Sequence, residues 1–510
     1  MFKNEVAEFI YKRTYSRWRE EDNRREEWPE TIERFIGFII EERPDIPEKT
    51  QNKIRKYMTE FAVMPSMRFL WAAGPAAKAD NTTIYNCSFA KINSVDAFAE
   101  CLYVLMCGTG FGFSVEKEEI DKLPEIPVIQ SGQPLPKIVI EDSKAGWADS
   151  VKTLMNSLYG GQNVYFSYDA IRLEGARLKT MGGRASGPAP LVKLHDFLRE
   201  TMHNAQGRQL TPLEAHDICN QIAEIVVVGG VRRSSQISLS DLDDKEMRHA
   251  KDWPYPIKRA MANNSAIYRE KPTAAQFLTE WGSLAQSGTG ERGIFNLEAA
   301  QNKAPSRRYA PLIQGTNPCG EIMLRDMEFC NLSEVVVRAG DDLDTLLDKV
   351  ECATWLGVVQ SSFTDFPYLR KEWKKNCDTE ALLGVSLTGQ MDNPSVLSSE
   401  ALSALKSRVI RIARKASGIL GTKMPVATTC VKPSGTVSQL VDSASGVHPR
   451  YSQYYIRRYR IAAQDPLFAM MKEKGIPCSP ENGQTEQMAN TWVLEFPVKS
   501  PDGCITRKDV

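Results

Sequence analysis

From Pro65 onward the sequence alternates between two kinds of segment, and this alternation restricts the fold more than any other feature. Short apolar runs interrupted by glycine, typical of buried strands, lie between longer amphipathic segments that are typical of helices. The strand-like runs are YVLMCGTGFGFSVE (103–116), AEIVVVGGVRRSSQISLS (223–240), ALLGVSLTG (381–389) and VATTCVKPSGTVSQL (426–440), and the helical segments include ADSVKTLMNSLY (148–159) and SEALSALKSRVIRIARKASGIL (399–420). Strands alternating with helices predict an α/β architecture, and the absence of an early GxGxxG unit favours a barrel over a doubly wound sheet.

The N-terminal region has a different texture and is predicted to be helical. Arg13 to Asp22 and Trp28 to Glu42 carry apolar residues at three- and four-residue spacing among charges, and Pro29 suits a helix start. We therefore predict a helical region over residues 1–62 and an α/β barrel over residues 63–510. The stretch from Lys117 to Glu141 contains four prolines and one glycine, which indicates an excursion from the barrel core.

Charge and hydropathy exclude several classes of protein. The chain has 64 Lys and Arg against 64 Asp and Glu, so neither nucleic acid nor an anionic membrane is predicted as a direct partner. No apolar run approaches the roughly 18 residues that span a bilayer, and the N-terminus lacks the apolar core of a signal peptide. The chain is therefore predicted to be soluble and cytoplasmic.

The cysteines argue against structural zinc, an iron–sulfur cluster or a disulfide framework. There are 11, an odd number, and no CxxC spacing occurs. Most of them are therefore expected to be reduced and buried as small apolar side chains. The few that lie beside polar residues are the candidates for chemistry.

One such cysteine lies in the segment TNPCGEI, residues 316–322. In an extended segment, residues two apart share a face, so a strand here would point Asn317, Cys319 and Glu321 into one space. The alternative is a tight turn around NPCG with a buried thiol, because Asn-Pro and Cys-Gly are ordinary turn composition.

Two further thiols, Cys330 in EFCNLSE and Cys87 in IYNCSFA, also lie beside polar residues. One thiol that reacts, together with two that can form a disulfide, provides what a reduction requires. A carboxylate beside the reacting thiol can act as a general base toward a substrate hydroxyl.

TNPCGEI resembles the thiyl-radical motif of ribonucleotide reductases, and other segments narrow the resemblance to the adenosylcobalamin-dependent class (class II), particularly the ribonucleoside-triphosphate reductases. The segments that carry this resemblance are RTYSRWREEDNRREEWPET (13–31), GGRASGPAPLV (182–192), GGVRRSSQISLSD (229–241), NNSAIY (263–268), KPSGTVSQL (432–440) and GVHPRYSQYYIRRYR (446–460). The resemblance implies a ten-stranded α/β barrel, adenosylcobalamin as cofactor, and reduction of ribonucleotides to 2′-deoxyribonucleotides for DNA synthesis.

The resemblance also implies roles for five residues. Cys319 matches the cysteine that becomes a thiyl radical and removes the 3′-hydrogen of the ribose, so it is expected on a loop inside the barrel, shielded from water. Glu321 matches the base for the 3′-hydroxyl proton, and Asn317 the amide that hydrogen-bonds the substrate hydroxyls. Cys87 and Cys330 match the pair that donates two electrons and becomes a disulfide while the 2′-hydroxyl leaves as water.

KPSGTVS (432–438) is predicted to hold the substrate phosphates, as the matching loop does in the family. The residues assigned to this role are Ser434, Gly435, Thr436 and Ser438, with Ser66 in MPSMR as a weaker candidate. An ordinary turn remains the alternative for the loop, and a plain helix or strand start for Ser66.

Effector binding is assigned to two places. Arg232 and Arg233 resemble a loop through which a bound deoxynucleotide effector changes base preference, with a solvated basic turn as the alternative. Residues 117–180 are a candidate effector-binding region or insertion. GTGFGFS (108–114) is too tightly spaced for a nucleotide loop and is interpreted as close-packed backbone near the active site.

Fewer residues of the sequence indicate the cofactor and the partners than indicate the reacting groups. The D-x-H-x-x-G pattern that ligates cobalt in many cobalamin proteins is absent, as expected for this class, and His448 is either structural or cofactor-side. A thioredoxin-like reductant is expected as partner. Family members continue beyond the position that matches Val510, so a separate C-terminal fragment that completes the barrel is also expected, with an intein-interrupted or a truncated chain as the alternatives.

Three alternatives stay open. The chain could be the large subunit of an oxygen-dependent (class I) reductase, which needs a partner with a metal-borne radical. It could be a cysteine hydrolase that uses Cys319 with His448, or a non-catalytic nucleotide-binding fragment.

Overall fold

The structure is a computed structural model that describes residues 2–130, 137–178, 184–226 and 235–510. Helices and strands alternate along most of this part of the chain. The helices are α1 Glu5–Ile10, α2 Trp28–Glu42, α3 Glu48–Thr59, α4 Met67–Ala72, α5 Pro75–Ala79, α6 Val95–Met106, α7 Lys117–Ile120, α8 Lys144–Tyr159, α9 Ala189–Asn204, α10 Pro212–Val226, α11 Lys245–Arg248, α12 Ala274–Ser287, α13 Leu297–Asn302, α14 Leu343–Ser361, α15 Lys371–Glu380, α16 Ser399–Leu420, α17 Thr436–Leu440 and α18 Pro466–Glu473.

The strands are short, and several have only two or three residues. They are β1 Trp18–Arg19, β2 Arg24–Arg25, β3 Val63–Pro65, β4 Cys87–Lys91, β5 Gly110–Ser114, β6 Lys137–Val139, β7 Tyr165–Ser167, β8 Gln236–Asp241, β9 Ala262–Tyr268, β10 Gly293–Asn296, β11 Gly315–Thr316, β12 Met323–Leu324, β13 Glu328–Phe329, β14 Leu332–Val336, β15 Gly384–Thr388, β16 Tyr454–Ala462, β17 Cys478–Pro480 and β18 Thr491–Lys499.

The chain divides into two compact units. The first unit comprises residues 1–74, 332–362 and 383–510, and the second unit comprises residues 75–331 and 363–382. In the first unit, β14 lies between β15, to which it is parallel, and β3, to which it is antiparallel. A separate antiparallel sheet in the same unit has the order β16-β18-β17. The predicted boundary at residue 62 stays a prediction.

The second unit contains a six-stranded sheet with the order β10-β9-β8-β5-β4-β13. Its strands are parallel except for β13, which runs antiparallel to β4 at the edge. β4 and β5 are buried almost throughout, as expected for parallel strands covered on both faces. This sheet carries Cys87 at the start of β4 and places Cys330 directly after β13.

The predicted helix from Trp28 to Glu42 is confirmed as α2. Pro29 lies in its first turn, and Glu30 accepts a hydrogen bond from the main-chain N–H of Glu27 at 2.8 Å, which completes a capping box. Its apolar residues at three- and four-residue spacing, including Phe35 and Ile39, form one buried face. Local sequence alone therefore specifies this element.

The predicted helix from Arg13 to Asp22 is wrong. A π-helical turn, Tyr11–Tyr15, is followed by the hairpin of β1 and β2, in which Trp18 pairs with Arg25. Asn23 at the hairpin turn has φ of 49°, a left-handed conformation that asparagine tolerates and that a helix cannot contain. The apolar residues of this segment have helical spacing, but the segment forms a turn and a hairpin.

Three of the four strand-like runs contain less strand than predicted. The run 103–116 is the end of α6 followed by β5, and in 223–240 the first four residues belong to α10 while β8 begins at Gln236. In 426–440, residues 427–430 follow β15 through main-chain hydrogen bonds, but they form a single bridge, and residues 436–440 form α17. Short apolar runs do not distinguish buried helix ends from buried strands.

No helix in the described ranges is long and apolar enough to cross a bilayer.

Two buried histidines predict that the free energy of unfolding falls in mild acid. Burial lowers the pKa of both His195 and His216 from 6.5 to about 3. Both ring nitrogens of His216 lack a hydrogen-bonding partner among the described residues. Above pH 6.5 each imidazole is neutral in both the folded and the unfolded chain. Below it the unfolded chain binds protons that the folded chain does not, at a cost of about 1.4 kcal/mol per pH unit for each histidine.

The measurement is urea unfolding of the wild type and of His216→Leu between pH 6.5 and 4.5. Carboxylates contribute equally to both proteins, so the wild-type slope should exceed that of the variant by about 1.4 kcal/mol per pH unit. Equal slopes would contradict the prediction.

Candidate active site

The segment around Cys319 is a hairpin loop in the second unit, not a strand. β11 and β12 are antiparallel, and the loop between them closes with a turn in which the Gly320 N–H donates to the Asn317 carbonyl at 2.9 Å. Pro318 occupies the second position of this turn, which its fixed φ favours, and Gly320 has φ of 82°. The expected extended conformation is wrong, and the tight-turn alternative describes the local backbone.

Asn317 and Glu321 nevertheless meet, because the base of the turn brings them together. The Asn317 Nδ2 donates to Glu321 Oε2 at 2.8 Å, and the Ile322 N–H donates to Asn317 Oδ1 at 3.0 Å. Asn317 is fully buried, and Glu321 is half-buried. A buried amide thus holds the carboxylate at the base of the turn that carries Cys319.

Cys319 lies at the tip of the turn and is exposed. The expectation that the fold itself shields this thiol from water is therefore wrong for the part of the chain that the structure describes. The physical reason is the turn, because the side chain at its third position points away from the two strands that support it. The thiol is still close enough to Cys330 to influence its pKa.

The structure brings Cys87 and Cys330 together, although they are 243 positions apart (330 minus 87). β13 pairs with β4 with Phe329 opposite Ser88, and the Cys330 N–H donates to the Cys87 carbonyl at 2.9 Å. The two thiols are in hydrogen-bonding contact, and each side chain is 1% exposed. Across the described ranges every cysteine, including this pair, is a free thiol.

Burial, followed by the hydrogen bond with the Cys87 thiol, raises the pKa of Cys330 well above its usual value. The nearby Glu321 carboxylate acts in the same direction. Cys330 is therefore a neutral S–H group at physiological pH, able to give up a hydrogen atom as well as electrons.

Three glycines permit this close packing. A Cβ at Gly110 would lie 3.2 Å from Cys87 Sγ and 3.3 Å from Pro318, so the cysteine strand and the turn meet at this position. A Cβ at Gly112 would lie 2.3 Å from the Thr316 carbonyl oxygen, and one at Gly315 would overlap the ring of Phe89. The interpretation of GTGFGFS as close-packed backbone near the reacting residues agrees with these distances.

The predicted phosphate loop lies in the first unit, and most of its hydroxyls are engaged within the protein. Ser434 is buried and donates to Glu334 at 2.6 Å, and Ser438 donates to the Gly435 carbonyl at 2.8 Å. Thr436 Oγ1 lies 3.0 Å from the Tyr15 hydroxyl. Gly435 and Thr436 are exposed, so the loop presents its backbone at this point.

Ser66 begins α4 and accepts a hydrogen bond from the Phe69 N–H at 3.2 Å. The helix-start interpretation therefore describes its local role.

Sequence analysis did not identify Glu334 as a residue of the predicted phosphate loop's surroundings. It is buried in β14, forms an ion pair with Lys432 and accepts the hydrogen bond of Ser434, so it anchors the predicted phosphate loop from below. A carboxylate inside the apolar run LSEVV was the signal that could have identified it, because a charge buried in a strand requires a partner.

Arg232 and Arg233 lie outside the described residues. Within the described ranges no group of three or more histidine, cysteine or acidic side chains is arranged to hold a metal ion. The exposed His448 lies with its Nδ1 3.0 Å from the Ser445 carbonyl oxygen.

Known proteins resemble this chain over nearly its whole length. It is 28% identical to the adenosylcobalamin-dependent ribonucleoside-triphosphate reductase of Levilactobacillus brevis, across 97% of this chain and 79% of the relative. The enzyme of the same name from Lactobacillus acidophilus is also 28% identical, across 97% of this chain and 80% of the relative. The family model for the ribonucleotide reductase alpha domain matches residues 1–75.

Solved structures give the fold. A crystal structure of a B12-dependent (class II) ribonucleotide reductase matches with a TM-score of 0.83 at 24% identity, covering 98% of this chain and 82% of that one. The class Id ribonucleotide reductase alpha subunit of Actinobacillus ureae matches with a TM-score of 0.57 at 15% identity, covering 92% and 79%. The predicted α/β fold of the reductase type is confirmed, and the class II structure resembles this chain more than the class Id structure does.

Proposed function

We propose that this chain, a relative of the adenosylcobalamin-dependent ribonucleotide reductases along nearly its whole length, reduces ribonucleoside triphosphates to 2′-deoxyribonucleoside triphosphates. The observation that carries the proposal is the contact between the Cys87 and Cys330 thiols beside the loop of Cys319. A buried dithiol next to an exposed thiol with its own amide and carboxylate provides the groups that radical reduction of a ribose requires.

Adenosylcobalamin supplies, when bound, the radical that takes the hydrogen atom from the Cys319 thiol. The described residues fit this cofactor through the exposure of the thiol that it would act on. The Cys319 thiol is exposed and hence accessible to a bound group, and the Asn317 amide and the Glu321 carboxylate lie beside it in the same turn. Shielding of the Cys319 radical from water then depends on the bound nucleotide and cofactor.

Glu321 and Asn317 act on the ribose hydroxyls in the proposed reaction. Cys319 removes the 3′-hydrogen, and Glu321 accepts the 3′-hydroxyl proton as general base. Asn317 holds Glu321 through the 2.8 Å hydrogen bond, and on the resemblance to the family its amide is proposed to hydrogen-bond the substrate hydroxyls. Because Asn317 is fully buried, its position is fixed before the nucleotide binds.

Cys87 and Cys330 supply the reducing equivalents. The two thiols give up two hydrogen atoms and form one disulfide, while the 2′-hydroxyl of the ribose leaves as water and a hydrogen takes its place at C2′. The raised pKa of Cys330 keeps its hydrogen on sulfur until the substrate needs it. Each turnover leaves a disulfide, so a thioredoxin-like dithiol is proposed as the reductant that restores the pair.

The loop of residues 432–438 is proposed to bind the substrate phosphates, with Gly435 and Thr436 as the exposed contacts. Ser434 and Ser438 hold the loop through their internal hydrogen bonds. A deoxynucleotide effector is also proposed, on the resemblance of Arg232 and Arg233 to an effector-linked loop, with residues 117–180 as the candidate effector-binding region or insertion.

The test is a reduction assay with the purified chain, adenosylcobalamin, a small dithiol and ribonucleoside triphosphates or diphosphates as separate substrates. We expect 2′-deoxynucleotide that depends on the cofactor and forms faster from triphosphates. Omitting the cofactor is the control. Product that instead requires a metal-containing partner subunit would support the class I alternative, and nucleotide binding without turnover would support a non-catalytic protein.

A further inference from the structure

Four buried ionisable side chains lie around the strand that precedes Cys330, and they have no role in the chemistry described above. Glu328 and Glu380 are fully buried, Arg308 is 7% exposed, and the Arg325 side chain is 13% exposed. All four belong to the second unit. Buried charges are expensive to desolvate, and apolar side chains of the same volume are often at least as stabilising. The group therefore calls for an explanation other than stability.

Arg308 connects three elements. Its Nη1 donates to the Met323 carbonyl of β12 at 2.8 Å. Its Nη2 lies 3.4 Å from Glu328 Oε2 on β13 and 2.5 Å from Glu380 Oε2 at the end of α15. One guanidinium thus joins the strand that ends the Cys319 hairpin to the strand that precedes Cys330.

Arg325 lies between these two strands and strengthens the same connection. Its main-chain N–H donates to Glu328 Oε2 at 2.8 Å, and its Nη2 lies 2.7 Å from Glu380 Oε1. The segment from β12 to β13 is therefore held through both main chain and side chain.

α15 presents one face to this segment. Trp373, Asn376, Cys377 and Glu380 have the spacing that places residues on one side of a helix. The Trp373 ring lies 4.7 Å from the ring of Phe329, next to Cys330, and Asn376 Nδ2 donates to the Asp326 carbonyl at 2.7 Å. The charged group lies at the C-terminal end of this face of α15, where Glu380 is located.

We propose that Arg308 is a positioning residue for the dithiol site: by fixing β12 to β13 and α15, it sets the approach of Cys330 to Cys87 and the placement of the Cys319 turn. The inference deepens the proposed function and rests on it for its biological meaning. Its physical content is the geometry of the Cys87–Cys330 pair, which can be measured without nucleotide reduction.

The charge balance of the group makes Arg308 suitable for testing. Burial, and then the neighbouring Glu380, raise the pKa of Glu328 to about 8, and the groups that face it are Arg308, Arg325, Glu380 and Cys377. The raised pKa favours the protonated form of Glu328 at neutral pH. Replacing Arg308 with methionine leaves Arg325 opposite Glu380, so no buried carboxylate loses its only cationic partner.

The experiment measures the equilibrium constant between the Cys87–Cys330 dithiol and its disulfide against dithiothreitol in the full chain, with peptide mapping to assign the bond. This constant reports how closely the two thiols are held, as an effective concentration. We expect Arg308→Met to lower it by about tenfold, and Arg308→Lys to recover part of the loss, because lysine keeps a charge but reaches fewer of the three partners.

Arg292→Met is the matched control. Arg292 is equally buried, lies 3.0 Å from Glu280 and donates to the Asp241 carbonyl at 2.7 Å, and its loss leaves Glu280 paired with Arg248. A similar loss of unfolding free energy is expected in both methionine variants, with a change in the disulfide equilibrium in Arg308→Met alone.

Equal effects of the two methionine variants, or an unchanged equilibrium in Arg308→Met, would overturn the proposal. If Arg308→Met does not fold, Glu380→Gln replaces it, and an unchanged equilibrium there has the same meaning. A wild-type chain that forms the disulfide but reduces no nucleotide would refute the proposed function and leave the positioning role intact. A wild type in which Cys87 and Cys330 form no disulfide would refute the positioning role.

Discussion

Replacing Cys319 with serine is expected to abolish nucleotide reduction, by more than about 10⁴-fold, in a protein that folds as the wild type does. The O–H bond of serine is too strong to yield its hydrogen atom to the cofactor radical, so the ribose is never activated. Because Cys319 is exposed at the tip of a turn and serine has nearly the same size, the substitution should leave the unfolding free energy within about 0.5 kcal/mol. The measurement is deoxynucleotide formation with urea unfolding in parallel.

The matched control for this variant is Cys330→Ser. It retains Cys319, so a radical signal should still form on mixing with cofactor and nucleotide, as seen by electron paramagnetic resonance. Net deoxynucleotide should nevertheless be lost, since Cys87 then has no sulfur partner with which to form a disulfide. Normal reduction by both variants would refute the assignment of all three cysteines.

Replacing Gly112 with alanine is expected to reduce turnover by about 10²-fold or more, although Gly112 touches no substrate in the proposed reaction. The added Cβ would lie 2.3 Å from the Thr316 carbonyl oxygen, a main-chain atom that must move with the whole hairpin. Overpacking of this kind costs about 1–3 kcal/mol of stability. A displacement of about 1 Å at a reacting group costs about 10²-fold in rate.

Gly282→Ala is the control for the Gly112 variant. Gly282 lies in α12 in the same unit, and a Cβ there would meet no atom within 4 Å. Alanine should leave turnover unchanged and stabilise the helix by about 0.5–1 kcal/mol. Wild-type turnover in Gly112→Ala would show that the hairpin tolerates displacement, and the close packing would then have no catalytic meaning.

The three cysteines of the site differ in exposure, and this difference matches their proposed roles. Cys319 is exposed, where a bound cofactor and nucleotide can reach it, whereas Cys87 and Cys330 are buried in contact with each other, and burial raises the pKa of Cys330. A dithiol that ionised readily would react with disulfides in solution before a substrate arrived. Burial of the pair is thus consistent with a reductant reserved for one substrate.

Local patterns in the sequence predicted those elements whose stability is local. α2 matches its predicted range because its cap and its apolar face are both written in consecutive residues. The false helix from Arg13 to Asp22 has comparable spacing but turns at Asn23, and apolar periodicity does not report a left-handed residue. The alternation of strands and helices from Pro65 onward was sufficient for the α/β class.

The candidate residues could be named from the sequence, since their motif and their polar neighbours are local properties of the chain. The environment of these residues could not be predicted. The tight turn at Pro318 replaced the expected strand, and it exposed Cys319 while it joined Asn317 to Glu321. The buried group around Arg308 could not be recognised in the sequence. Its members are scattered over more than 70 positions (380 minus 308), and each resembles an ordinary surface charge.

The sequence by itself determined the chemistry that this chain can carry, because the identity and spacing of an amide, a thiol and a carboxylate at Asn317, Cys319 and Glu321 are covalent facts. Only the tertiary structure decided that Cys87 lies against Cys330, since that contact depends on the pairing of β4 with β13 across 243 positions. Side-chain patterns specify which face of a strand is buried, whereas the partner of a strand is set by the packing of the whole unit.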